Sequence, residues 1–231
     1  MKLAIIASGG GTTFEAIAKH IRSGSLDFQD PMLLTTRKQC GAIERARSLE
    51  VPHRFWPRSA PLHNIIDPSE YPIICLDGCL RILSPEEVNA FQTILNSHPG
   101  PLPEFGGMGM HGLHVHAAVL KYLELTRQDP GHTCATIHLV DPGADTGPVI
   151  REFWLHTILG AVDPEDLAEE LLPFEHRIYL DALADLAANR LQPLVPSRSR
   201  RIYLGELRAL ESAKEYGVEY GRRQQDMVQA N

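Results

Sequence analysis

The sequence predicts an α/β protein with a mostly parallel central sheet flanked by helices. Short apolar runs alternate with longer amphipathic segments from the first residue to about Gln192, the pattern of repeated strand-helix units. Two glycine-bearing loops, Ser8 to Thr13 and Asp141 to Gly147, follow directly on apolar runs, where open sheets of this class carry their ligands. The 231 residues are 43% hydrophobic and 22% charged, an ordinary globular composition for one main core with a modest appendage.

Each element has its own signal. Leu3 to Ala7 reads as a strand and Phe14 to Ile21 as the helix behind it. Met32 to Thr36 and Gly41 to Leu49 repeat the pair, and His53 to Trp56 and Ile73 to Leu76 are short strands. Ser84-Pro85-Glu86-Glu87 supplies an N-cap, an N1 proline and first-turn acids, opening a brief helix before a strand at Thr93 to Asn96. From Ser97 to Gly112, five glycines and three prolines exclude regular structure and mark a loop with a function. A helix follows over Leu113 to Leu125. Thr133 to Val140 is a strand with two unlike faces, Ala135, Ile137 and Leu139 against Cys134, Thr136 and His138. Val149 to His156 is the last strand. Asp163-Pro164-Glu165-Asp166 opens a helical stretch to Asn189 that Pro173 should break or kink. Beyond Pro196 the composition turns polar, with a helical pattern at Leu204 to Tyr216; this is read as a solvated helix or tail, or as a subunit-contact or site-covering arm.

Charge and cysteine usage narrow the function classes. A net charge of −7 argues against the broad basic surface that neutralises nucleic-acid phosphates. Cys40, Cys75, Cys79 and Cys134 form no CxxC pair and fit a reducing compartment. No run approaches the ~18 apolar residues of a membrane span, so the expectation is a cytoplasmic protein with neither membrane nor nucleic acid as partner.

Three segments carry chemistry. Ser8-Gly9-Gly10-Gly11-Thr12-Thr13 is either an anion cradle at a helix N-terminus or a tight strand-to-helix turn; it has neither the P-loop lysine nor the third glycine of a dinucleotide fingerprint. Asn96-Ser97-His98-Pro99 puts an amide and an imidazole two residues apart in extended chain, so both point the same way, although such a pair can also serve only the loop. Asp145, in the loop after another strand, can meet the imidazole and keep it cationic or correctly oriented. Together they suit an amine attacking a carbonyl, with the amide and imidazole at the oxyanion and the carboxylate-histidine pair moving the proton. Metal ligation by His98, His111, His114, His116 and His138 lacks a recognised spacing, so no metal is expected. Covalent catalysis lacks a GxSxG elbow.

These pieces, in this order, resemble the folate-dependent formyltransferases: the strand with Ser8-Gly9-Gly10-Gly11-Thr12, then Gly78-Cys79-Leu80-Arg81-Ile82-Leu83-Ser84-Pro85, then Asn96-Ser97-His98-Pro99, then Asp145-Thr146-Gly147-Pro148-Val149-Ile150. The resemblance runs from Met1 to about Gln192 and implies a Rossmann-like formyltransferase domain over 1–195 with an arm over 196–231. It further implies 10-formyltetrahydrofolate as co-substrate, bound by Arg81, Ile82, Leu83, Val140, Asp141, Gly143 and Ala144. Asn96, His98 and Asp145 would be catalytic, and Gly10, Gly11, Thr12, Thr13 and Glu175 would hold the acceptor. That acceptor would be a small, phosphorylated primary amine, glycinamide ribonucleotide of purine synthesis. The altered glycine loop and the short Pro57 to Pro72 connection keep open an amino sugar, an aminoacyl group or a specialised metabolite as acceptor. A catalytically silent folate- or nucleotide-binding protein is the other alternative, and a homodimer stays open.

Overall fold

The computed structural model describes residues 1–158, 160–195 and 206–229. Seven strands form one sheet in the order β3-β2-β1-β4-β5-β6-β7. They are β1 (Lys2–Ala7), β2 (Gln29–Thr35), β3 (His53–Phe55), β4 (Ile73–Asp77), β5 (Thr93–His98), β6 (Gly131–Leu139) and β7 (Val149–Thr157). The first five run parallel, and β6 and β7 add on antiparallel. The helices are α1 (Thr12–Arg22), α2 (Gly41–Ser48), α3 (Pro85–Ala90), α4 (Leu113–Thr126), α5 (Pro164–Ala187) and α6 (Leu207–Gln229). The expected mostly parallel sheet flanked by helices is therefore present, with the antiparallel pair at one edge.

Strand alternation splits the core in two. On β1, Leu3, Ile5 and Ala7 face α1 and α5, where Phe14, Ile17, Tyr179 and Leu183 pack. Ala4 and Ile6 face the opposite side, against Trp56, Leu62, Tyr71 and Phe91. Among the described residues, no long helix covers that second side between β3 and β4. A 3₁₀ turn at Leu62–Asn64 and the fully buried Trp56, which donates its indole N–H to the Ala60 carbonyl at 2.9 Å, fill the place instead.

Two boundaries differ from expectation with visible causes. β5 continues through His98, because its last residues ladder with β6 as Ser97↔Ile137 and His98↔Thr136. α5 passes through Pro173 without ending. The proline removes one hydrogen bond at a cost of about 3 kcal/mol, but the capping box of Asp163 and Asp166 fixes the start. Leu167, Leu171, Ile178, Tyr179 and Leu183 bury the inner face on both sides of it, and each such apolar side chain contributes about 1.5–3 kcal/mol.

The α3 start is an ion-pair hub. Ser84 is the expected N-cap, and with Glu87 it forms a capping box. Glu87 also accepts from the Leu62 amide at 2.7 Å and from Arg81 Nη2 at 2.7 Å, while Arg81 lies over the Trp56 ring at 4.4 Å. Burial pushes the Glu87 carboxyl up, but the Ser84 and Leu62 amides and Arg81 together carry it below its ordinary value. Its stabilisation is thus complete above the ordinary carboxylate range and is lost as pH falls through the folded value. Glu87→Ala strands a half-buried guanidinium and a backbone donor and is expected to cost about 3–5 kcal/mol, read by urea unfolding.

α6 is longer than the expected Leu204 to Tyr216 pattern; residues 196–205 of the anticipated arm lie outside the described residues. It packs closely on α4 because Gly217 and Gly221 have no side chains. A Cβ at Gly217 would come within 2.2 Å of the His114 carbonyl oxygen, and one at Gly221 within 1.7 Å of the His114 ring. Ala213 is fully buried beside Phe105, Val115 and Val119.

Candidate active site

At the C-terminal ends of β4 and β5 a cavity of about 520 Å³ opens between the Gly78–Leu83 segment, the Gly107–Leu113 loop, the Val140–Asp145 loop and α5. Arg81, Ile82, Leu83, Val140, Asp141, Gly143 and Ala144 all line it, as do Asn96, His98, Asp145 and Glu175.

Strand register builds the centre. Asn96 on β5 stands opposite His138 on β6, and their side chains meet at 3.0 Å between Nδ2 and Nε2. The other His138 nitrogen, Nδ1, lies 2.9 Å from the Leu139 carbonyl and must donate to it. His138 Nε2 therefore carries the lone pair and accepts from the Asn96 amide, fixing which end of that amide is nitrogen. His98 is settled the same way: its Nε2 lies 3.0 Å from the Phe105 carbonyl and donates there, leaving Nδ1 unprotonated in the neutral ring. Asp145 spans the two imidazoles, with Oδ2 at 3.7 Å from His98 Nδ1 and Oδ1 at 3.6 Å from His138 Nε2.

The Asp145 loop is held from within. Asp141 Oδ1 accepts from the Gly143 amide at 3.1 Å and the Thr146 hydroxyl at 2.6 Å. Gly147 passes so near the end of β6 that a Cβ would lie 1.8 Å from the Leu139 carbonyl oxygen. Asp145 has φ 57°, a left-handed conformation that Asp and Asn tolerate best after glycine. The Gly107 amide donates to its Oδ2 at 3.0 Å.

Both imidazoles are almost fully buried, each 2% exposed. Burial lowers the pKa of His98 to about 4, overriding the opposing pull of Asp145. Burial likewise lowers that of His138, against the pull of the Leu139 carbonyl and Asp145. Of the two roles expected of Asp145, keeping the histidine cationic or orienting it, the first is not met: burial outweighs a carboxylate 3.7 Å away and lowers the His98 pKa.

Gly10, Gly11, Thr12 and Thr13 are not in the cavity lining. Their loop lies beside it, next to Asp77, which pairs with Ala7 at the ends of β4 and β1 and does line the cavity. Gly11 is the α1 N-cap with φ 76° and no side-chain cap. The Gly10 carbonyl accepts from Arg45 Nε at 2.9 Å. Burial raises the Asp77 carboxyl, while the Thr13 hydroxyl and Phe14 amide, both bonded to it, oppose that rise. Glu175 on α5 faces Ser97 Oγ at 3.4 Å, and burial, then the charge of Asp77, raises it to about 7.

Sequence reasoning missed the roles of four participants. His138 was legible as one of five histidines without a metal spacing, on the polar face of its strand; its partnership with Asn96 is a property of the β5–β6 register. Asp77 ends an apolar strand with a carboxyl. The Phe105 carbonyl and Gly107 amide act through backbone, which leaves no side-chain signal.

This fold and this convergent polar edge define a group-transfer enzyme of the Rossmann-like kind. The chain belongs to the formyl transferase family, whose model matches residues 1–183. It is 32% identical over 202 residues to the chloroplastic phosphoribosylglycinamide formyltransferase of Arabidopsis thaliana, covering 83% of this chain and 67% of that protein. It is 28% identical to the phosphoribosylglycinamide formyltransferase of Bacillus subtilis, over 80% of this chain and 94% of that one. The crystal structure of the Bacillus halodurans phosphoribosylglycinamide formyltransferase is similar with a TM-score of 0.66 at 27% identity, covering 88% of this chain and 100% of that chain. The chain spans about two thirds of the plant relatives' length. None of the helices among the described residues is long and apolar enough to cross a membrane.

Proposed function

We propose that this chain transfers a formyl group from 10-formyltetrahydrofolate to the primary amine of glycinamide ribonucleotide. The observation that carries the reading is the convergence of Asn96, His98, Asp145 and His138 on one cavity edge. Bound folate would supply the electrophilic formyl carbon. The pocket fits its ring system: the Gly78–Leu83 and Val140–Asp145 segments line it, and Leu80 and Ile82, both about half exposed, supply apolar surface.

His98 acts as base through Nδ1, taking a proton from the attacking amine and delivering it to the folate nitrogen as the bond from that nitrogen to the formyl carbon breaks, so that tetrahydrofolate leaves. The imidazolium so formed is stabilised by Asp145 on one nitrogen and the Phe105 carbonyl on the other. Asn96, its amide oriented by His138, has a second N–H for the charge developing on the formyl oxygen. The Gly10–Thr13 loop holds the acceptor phosphate with backbone N–H groups and the Thr12 hydroxyl, and Glu175 holds the acceptor amine.

The test is release of tetrahydrofolate with glycinamide ribonucleotide beside phosphate-free amines, amino sugars among them. Turnover confined to glycinamide ribonucleotide supports the reading; turnover with another amine alone replaces the acceptor, and tight folate binding without any turnover replaces the activity. A pH dependence follows from Glu175. Its carboxyl ionises around 7, so the acceptor KM should rise as pH falls through that value, and Glu175→Gln should remove the dependence.

A further inference from the structure

The chemistry above makes no use of α6, which lies beyond the residues matched by the family model, yet one of its side chains ends against the loop that touches both His98 and Asp145. Lys214 Nζ donates to the Gly106 carbonyl at 2.7 Å. On one side of Gly106, the Phe105 carbonyl accepts from His98 at 3.0 Å; on the other, the Gly107 amide donates to Asp145 at 3.0 Å. Gly106 itself is pressed onto the site, since a Cβ there would lie 2.9 Å from Asp145 Cβ and 2.6 Å from Leu102 Cδ2. Consecutive residues thus carry one contact to α6 and two to the reacting groups.

A glycine-rich loop loses much conformational entropy when fixed, so its position needs support from outside. α6 can give it, because α6 is anchored along its length. Ala213, next to Lys214, is fully buried. Gly217 and Gly221 seat the helix on α4, and the Tyr220 hydroxyl donates to Glu165 in the first turn of α5 at 2.7 Å. A charge-assisted bond from such a base is stronger than a neutral one.

The geometry points to Lys214 as a positioning residue for formyl transfer: through Gly106 its ammonium holds the loop that sets His98 and Asp145 relative to each other. The inference rests on reading His98 and Asp145 as the proton-handling pair. The titratable groups facing His98 are Asp145, His138, His116 and Lys214; the lysine opposes its protonation and the aspartate favours it.

Lys214→Met and Lys214→Arg in the full chain test it. Lys214→Met is expected to lower kcat about tenfold or more with the folate KM little changed, the signature of misplaced rather than weakened groups. Lys214→Arg should recover most of the loss. The His98 titration, followed by NMR and assigned through its absence in His98→Gln, should move to higher pH in Lys214→Met. That readout needs no turnover: a shift seen in Lys214→Met when the wild-type chain does not transfer formyl overturns the activity and keeps the Lys214–His98 coupling. An active wild type whose Lys214→Met variant keeps kcat within about twofold overturns the positioning role. So does a loss of kcat that tracks the melting temperature, leaves the His98 titration unmoved and is not rescued by arginine.

Discussion

Asp145→Asn is expected to lower turnover about a hundredfold or more, on the scale of a lost acid-base partner. Asparagine has the shape of aspartate, tolerates the left-handed φ of 57° at this position, and can still accept the Gly107 amide. What it cannot supply is the negative charge facing His98 Nδ1 at 3.7 Å and His138 Nε2 at 3.6 Å. The imidazolium formed as the amine loses its proton then stands in a buried site without a counter-charge. Because backbone and packing are retained, a fall in kcat with an unchanged melting temperature isolates the charge. Near-normal turnover would remove Asp145 from the chemistry.

Removing the base itself should cost at least as much. His98→Gln is expected to reduce kcat by roughly 10²–10⁴-fold. In the wild type, the rate should fall as pH drops through about 4, where His98 becomes protonated and can no longer accept the amine's proton. The fold feels the same group over a wider window. The folded pKa lies below the ordinary imidazole value of 6.5, so the unfolded chain binds more protons between the two, and stability declines as pH falls from 6.5 towards 4. Circular dichroism over that interval separates unfolding from the kinetic limb. A rate that stays flat through pH 4 in protein that remains folded would contradict a base at Nδ1.

Much of the architecture was legible because it rests on local signals. The strand-helix alternation placed β1 through α2 within three residues, and Ser84-Pro85-Glu86-Glu87 placed α3 with its N-cap. Asn96 and His98 could be paired from strand periodicity alone, and Asp145 joins them at the same edge. What could not be read depends on distant packing. Pro173 looks like a breaker until its buried flanks are seen, and the neutral state of His98 follows from desolvation by residues remote in sequence. His138 meets Asn96 only because β6 runs antiparallel to β5 in one particular register. The 105–112 loop contributes backbone atoms, to which residue type is nearly blind.

The β5–β6 ladder has a consequence for how this protein can fail. A slip of β6 by one position would turn His138 to the face opposite Asn96 and His98 and displace the Asp145 loop that follows β6. The alignment joins segments 42 positions apart, a partnership that chains complete slowly. Misassembled molecules should accordingly be wholly inert rather than sluggish, so the active fraction of a preparation counts correctly zipped chains.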